Sequence, residues 1–322
     1  VLLYAHEYLR VIFGGILCTM AYNIAASILR SLGDSRTPLY FLILSSFLNI
    51  VLDIFFIATL HMGTAGAAWA TVLSQGISAL LCFWYMFHNY NNLRLSIRDL
   101  YPDPYRILCM IQSGIPMALN QTVTAFGIMI LQSGINQFGS SVMAAYTAAS
   151  KLESLVMQPM IALGSGISTY CAQNIGARKT KRIFAGVRST MLLSLGAAIL
   201  GMALYGIASK AILRIFLSDP SPEMVHYALQ YLYTSVWFLL FLAWIFLFRN
   251  ALVGLGNGLV TIIGGVAELL CRFLCIHFLL QPFGFWCICL TNPITWIVAC
   301  SLFCGFYFRW EHQQKHCSKS AG

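Results

Sequence analysis

Val11-Ile-Phe-Gly-Gly-Ile-Leu-Cys-Thr-Met-Ala-Tyr-Asn-Ile-Ala-Ala-Ser-Ile-Leu29 runs for nineteen residues without a charged side chain. A helix of about 20 apolar residues crosses the hydrocarbon core of a bilayer, so the stretch 9–30 reads as one membrane span. Eight more runs of similar character follow, at 38–60, 65–88, 112–137, 142–170, 190–216, 226–249, 255–280 and 283–308. The reading is an all-α polytopic membrane protein. The runs are continuous rather than alternating, which excludes a β-barrel.

Composition points the same way. The chain has 322 residues, 59% hydrophobic and 9% charged. A soluble domain carries about 25% charged residues, so a soluble globular fold is excluded. Disorder is excluded as well, because disordered chains are poor in apolar residues. The eleven cysteines mostly lie inside apolar runs, Cys271 and Cys275 among them. They read as small packing residues rather than as a disulfide framework.

The formal charge of +9 would suggest nucleic acid in a soluble protein. Here the basic residues gather in alternate connections: Arg30 and Arg36; Arg94, Arg98 and Arg106; Arg178, Lys179, Lys181, Arg182 and Arg188; Arg249; and Arg309, Lys315 and Lys319. The opposite turns, 61–64, 137–141, 219–223 and 281–284, are free of Lys and Arg. Arg10, Lys210 and Arg214 run weakly against the pattern. Basic loops stay cytoplasmic, which places the C-terminus inside and, with nine spans, Val1 outside. The stretch 89–107 is the longest polar connector and reads as a cytoplasmic linker between two bundles.

Leu29-Arg-Ser-Leu-Gly-Asp34 after the first span matches Leu252-Val-Gly-Leu-Gly-Asn257 after the seventh, 223 residues on. A long span and a short glycine turn, Met62-Gly63 or Phe283-Gly284, come after each. Transporters are often built from two related halves. The spacing predicts a second half starting near residue 108 and a first half starting upstream of Val1. The expectation is twelve spans in a complete protein, nine of them here: 1–88 as the last three helices of the N-terminal lobe, 89–107 as linker, 108–309 as the C-terminal six-helix lobe, 310–322 as a cytoplasmic tail.

Several motifs in order carry a family resemblance. Ile28-Leu-Arg-Ser-Leu-Gly-Asp-Ser-Arg-Thr-Pro38, Leu48-Asn-Ile-Val-Leu-Asp53, Met62-Gly-Thr-Ala-Gly-Ala-Ala-Trp-Ala-Thr71, Ala144-Ala-Tyr-Thr-Ala-Ala149 and Ala172-Gln-Asn-Ile-Gly-Ala177 resemble the fourth helix's turn, the fifth and sixth helices, and the eighth helix with its following loop in multidrug and toxic compound extrusion (MATE) transporters. The resemblance implies a two-lobe exporter of the cell membrane that acts as a monomer. Such proteins expel amphipathic, often cationic drug-like compounds in exchange for Na⁺ or H⁺, through a cavity between the lobes. No cofactor beyond the coupling ion and no nucleic acid is implied.

Asp53 lies well inside the span 38–60, which holds no Lys or Arg. An unpaired Asp there costs about 2.5–3.5 kcal/mol on insertion scales. Asn49 precedes it by one helical turn, and Thr71 begins the next span. Their oxygens suit a hard cation; burial of the carboxyl equally suits a proton. The resemblance carries Asn49, Asp53 and Thr71 over as part of a first-lobe cation site. Glu268 and Arg272 form an i,i+4 pair that reads as a structural ion pair. Lys151 reads as a residue reaching for the outer interface, and Glu153 as a second candidate for proton or cation contact. Some family members carry an acid in the span corresponding to 112–137; here it has none and reads Asn120-Gln-Thr-Val-Thr124 instead.

Asn120, Gln121, Thr124 and Gln158 are candidate substrate-cavity residues, with Met117, Met129, Gln132, Tyr146, Met157 and Trp237 as apolar or polar additions. Pro116, Pro159 and Pro293 fall within spans and permit bending. The tail His312-Gln-Gln-Lys-His316-Cys317 would present metal ligands if helical, against the plainer reading of a solvated basic tail. The chain contains no HExxH, GxSxG or GxxxxGK[ST], so an embedded hydrolase or ATP-driven pump has no support. A lipid-linked oligosaccharide flippase of related architecture is the alternative. It calls for a cationic cavity, and basic residues are few in the central spans.

Overall fold

The computed structural model describes residues 2–90, 93, 101–216 and 221–320, and among them every regular element is helical. Two compact units divide the chain, Val1–Pro102 and Asp103–Gly322. The middle of the stretch 89–107, residues 91, 92 and 94–100 with Arg94 and Arg98 among them, lies outside the described residues.

In the first unit α1 (Leu2–Gly14) and α2 (Ile16–Ser31) meet at an angle of 46°. The single straight span expected over 9–30 is therefore a broken one. The Gly14-Gly15 pair explains the break. A Cβ at Gly15 would fall 2.3 Å from Val72 Cγ2, so the side chain of Val72 occupies the notch. α3 (Arg36–Ile54) ends in a π-turn, Phe55–Thr59, and α4 (Gly63–Asn89) packs against α1, α2 and α3. The small core joins Tyr22, Ala25, Ala26, Leu29, Ala79, Cys82 and Met86. Its small residues allow close helix approach. Two hydroxyls tie α3 in place: Tyr22 donates to the Pro38 carbonyl at 3.1 Å, and Ser78 to the Phe41 carbonyl at 2.9 Å.

The second unit comprises α5 (Pro104–Ile135), α6 (Ser140–Gly176), α7 (Thr180–Phe216), α8 (Pro222–Ser235), α9 (Leu239–Gly254), α10 (Leu259–Leu274), the single turn α11 (Leu280–Phe283) and α12 (Phe285–Ser320). Asp103 starts α5 by accepting the amides of Tyr105 and Arg106, and Ser221 starts α8 by accepting that of Met224. α6 is the centre of this unit and packs on α7, α8 and α9. Tyr205, Tyr231, Phe248, Phe303 and Tyr307 are the largest of its fully buried side chains.

Among the described residues, seven helices are long and apolar enough to cross a membrane, or eight with α1–α2 taken as one bent span. α6 supplies the remaining expected span, 142–170. It runs 37 residues, but polar residues along its length, Lys151, Glu153 and Gln158 among them, keep it below that apolar threshold. Two further expectations change. The tail from residue 310 is no separate segment, because α12 continues through it to Ser320. Arg249 is no loop residue, because α9 carries it inside the helix. The ten cysteines whose side chains are described are free thiols.

The 223-residue repeat is also a repeat of backbone geometry. Gly33 has φ +93° and Gly256 φ +84°. In one turn Gly33 and Asp34 donate to the carbonyls of Arg30 and Leu29; in the other Gly256 and Asn257 donate to Val253 and Leu252. Such a left-handed closure favours glycine, which has no Cβ to clash. The next helices start at Arg36 and Leu259, again 223 apart, and both run into π-turns, the second at Cys275–Leu279. The same closure ends α6, where Arg178 takes the left-handed position at φ +57°.

Asp34 caps α3 by accepting the Thr37 amide at 3.0 Å. Burial works to raise its pKa, but hydrogen bonds from Thr37, Arg36 and Tyr85 outweigh it and hold the carboxyl below its ordinary value.

Two outcomes are expected. Arg178→Gly relieves a left-handed side-chain residue and raises stability by up to about 1 kcal/mol, whereas Gly256→Ala lowers it by about 1 kcal/mol; thermal unfolding of the purified protein in detergent reads both. Asp34→Ala costs about 1 kcal/mol at neutral pH. Because the folded pKa is depressed, that contribution is present above the ordinary carboxylate range and is lost as pH falls through the folded value. The melting difference between wild type and variant therefore closes on acidification.

Candidate functional site

Two clusters of buried polar groups stand out, one in each unit. In the first, Asn49 and Asp53 lie one turn apart on α3, both half-buried. Asn49 Nδ2 and Asp53 Oδ1 are closed off from solvent and meet no hydrogen-bond partner. Buried polar groups are normally satisfied, so this amide and carboxylate are two orphans on one helical face. Thr71 sits on α4, the helix packed against α3, and its hydroxyl donates to Ala67 O at 3.0 Å. The structure thus places Asn49 and Asp53 on one face of α3 with no hydrogen bond at these two atoms, while Thr71 is bonded within its own helix.

The second cluster lines a cavity of about 560 Å³ within the second unit. α6 contributes Tyr146, Thr147, Ser150, Glu153 and Met157 to its wall. Glu153 Oε2 accepts the Tyr231 hydroxyl of α8 at 2.7 Å. The same hydroxyl oxygen accepts Asn292 Nδ2 of α12 at 2.9 Å. The other carboxylate oxygen, Oε1, has no partner. Tyr146 meets the Tyr231 ring edge-on at 5.0 Å between centroids.

Arg272 and Glu268 of α10 form a buried ion pair at 3.5 Å on the same wall, their side chains 7% and 8% exposed. Arg249 of α9 lies over the Phe246 ring at 5.2 Å and feels the charge of Glu268. The wall thus carries two carboxylates and two guanidiniums, with no formal net charge. Polar side chains here lie against glycines of neighbouring helices. A Cβ at Gly127 would come 2.8 Å from Arg272 Nη1, one at Gly265 2.6 Å from Asn120 Nδ2, and one at Gly164 2.7 Å from Asn250 Nδ2.

Of the four cavity residues named from sequence, Gln121 and Thr124 line this space. Asn120 does not: it is buried between α5 and α10, donating to Thr261 O at 2.5 Å. Gln158 is exposed on α6 away from the wall. Gln132, Tyr146 and Met157 line it; Met117, Met129 and Trp237 are exposed elsewhere. Tyr231, Asn292 and Arg249 are not singled out by sequence reasoning. Asn292 had a signal, an amide beside a proline inside an apolar run, and so had Arg249, a charge in the run 239–254. Tyr231 had none.

A family model, MatE, matches residues 1–55 and 116–283. The chain belongs to the MatE family. Among relatives of the MatE chain is the probable multidrug resistance protein YpnP of Bacillus subtilis strain 168. It is 31% identical over 266 residues, covering 83% of this chain and 57% of that protein. The probable multidrug resistance protein NorM of Thermotoga maritima is 27% identical over 221 residues, covering 67% and 47%. An FAD transporter of Shewanella oneidensis is 25% identical over 194 residues, covering 59% and 42%. This MatE chain spans about half the length of the curated relatives it matches. Among solved structures, a MATE protein in its bent conformation superposes with TM-score 0.85 at 21% identity, covering 98% of this chain and 69% of that one. An outward-facing MATE family transporter of the MOP superfamily gives 0.86 at 23%, covering 96% and 70%. The fold is that of MATE transporters, and these relatives are transporters and resistance proteins rather than enzymes.

Breaking the buried groups of this MatE chain has unequal expected costs. Tyr231→Phe leaves Glu153 Oε2 and Asn292 Nδ2 without partners and lowers stability by about 1–3 kcal/mol. Arg272→Ala strands the Glu268 carboxylate and costs about 3–5 kcal/mol, while the double variant Glu268→Gln/Arg272→Met recovers much of that loss. Thermal unfolding in detergent ranks the three.

Proposed function

We propose that this chain works in a cation-coupled antiporter, driven by Na⁺ or H⁺, that exports amphipathic, often cationic compounds by alternating access. The observation that carries the reading is the orphaned pair on α3. Asn49 Nδ2 and Asp53 Oδ1 are buried without partners in a helix that has no cation of its own within the apolar run. A carboxylate left unsatisfied in apolar surroundings gains most from a bound cation or proton. With the ion bound, that charge is neutralised; without it, the unit bears an anion that favours a different packing. A substrate that prefers the second arrangement then exchanges for the ion.

Thr71 adds a hydroxyl oxygen to this set once its bond to Ala67 is exchanged for the ion. Glu153 is a second coupling group on the same logic, since Oε1 is unpartnered and faces the cavity wall. The relatives named as resistance proteins favour small-molecule export over oligosaccharide flipping. So does the cavity wall, whose arginines are matched by carboxylates rather than forming a cationic chamber. The protein acts as a monomer in the cell membrane with its C-terminus cytoplasmic. Supporting that orientation, Arg188 of α7 lies 3.9 Å from Glu311 of α12. The basic start of α7 and the basic end of α12 therefore share one side.

The test is transport by the gene product in proteoliposomes. Asp53→Asn is expected to abolish ion-driven efflux of a fluorescent cation while the protein still folds and inserts. Efflux at the wild-type rate rejects the assignment. Glu153→Gln with full activity confines coupling to the first unit.

A further inference from the structure

Outside both clusters, the end of α12 carries a pair of side chains that neither the fold nor transport accounts for. His312 and His316 are exposed, lie one turn apart on a continuous helix, and share a hydrogen bond between their Nε2 atoms at 3.0 Å. Their ring centroids are 4.4 Å apart. His312 also borders a crevice of about 440 Å³ between α7 and α12, beside Arg188, Glu311 and Lys315. Glu311 is engaged by both of those cations.

We infer that His312 and His316 form a two-nitrogen chelate for a square-planar or octahedral transition metal, Cu²⁺ or Ni²⁺. The i,i+4 spacing on one helical face carries the inference, because it brings both imidazoles within reach of a single ion. The hydrogen bond that now joins the two Nε2 atoms at 3.0 Å shows how closely the rings approach. Rotation of the rings about their side-chain bonds breaks that bond and turns both lone pairs toward one metal. Imidazole is a good ligand for copper and nickel, and right-angled nitrogen coordination is the preference of both ions in the divalent state. The helix supplies the preorganisation: once one histidine binds, the other is already at coordinating distance. Exposure on the crevice side leaves the remaining positions to water.

This site is independent of ion coupling at Asp53. The experiment uses the purified chain in detergent titrated with Cu²⁺, read by electron paramagnetic resonance. The expected spectrum shows hyperfine splitting from two equivalent nitrogens. Either His312→Ala or His316→Ala is expected to weaken binding on the order of a hundredfold, while His88→Ala leaves it unchanged. The titration is repeated in a Cys317→Ser background, where binding is expected to persist. A one-nitrogen spectrum, equal affinity in the single variants and wild type, or loss of binding in Cys317→Ser with both histidines intact would each overturn the proposal.

Discussion

The hydrogen bond from Tyr231 to Glu153 is the interaction on which the second unit depends. It joins α6 to α8, and through Asn292 it reaches α12 as well. Three helices that share no sequence neighbourhood are thereby fixed around one carboxylate. In an apolar solvent, helices gain little from mere burial of their apolar faces, so close packing and interhelical hydrogen bonds select the arrangement. A carboxylate with one oxygen satisfied and the other open is therefore both an anchor and an available group. The ion pair of α10 sits on the same wall and is held to the same rule: two charges in oil persist because each is the other's solvent.

The two units use this rule differently. In the first, hydroxyl groups of Tyr22 and Ser78 donate to backbone carbonyls of α3, and the acid of that helix is left without a partner. In the second, the buried acids Glu153 and Glu268 are partnered. The common element is the closure after each repeat's helix, where Gly33 and Gly256 take the same left-handed turn and launch helices that each run into a π-turn. The two repeats of this chain share the corners and the register of the helix launched from each, while the polar side chains between the corners differ.

Much of the fold was legible because the membrane imposes a period and a length that apolar runs display directly. The pair Asn49 and Asp53, and the pair Glu268 and Arg272, were legible for a similar reason: four residues on a helix is one turn. The contact between Tyr231 and Glu153 was not, because 78 residues separate them and a tyrosine in an apolar run has no periodic signature. Arg249 reads as a loop residue because a charge near the end of an apolar stretch resembles a boundary; only the neighbouring acid on α10 makes its place inside α9 tenable. The break at Gly14-Gly15 was hidden because glycine is common in membrane helices, and the side chain of Val72 that fills the notch beside Gly15 comes from another helix. Asn120 looked like a wall residue by its spacing, but its amide is taken by a backbone carbonyl of α10.

The glycines opposite Arg272, Asn120 and Asn250 have a consequence for how such a protein can change. Each is the vacancy that a polar side chain of the next helix fills, so the chemistry of the interior is written partly in residues that have no chemistry. A single added methyl group at Gly127 would press on the guanidinium that partners Glu268 without altering any polar group by name. The interior can thus be altered by mutations that a list of charged and polar positions would overlook, and the plainest residues are the ones where substitution is least free.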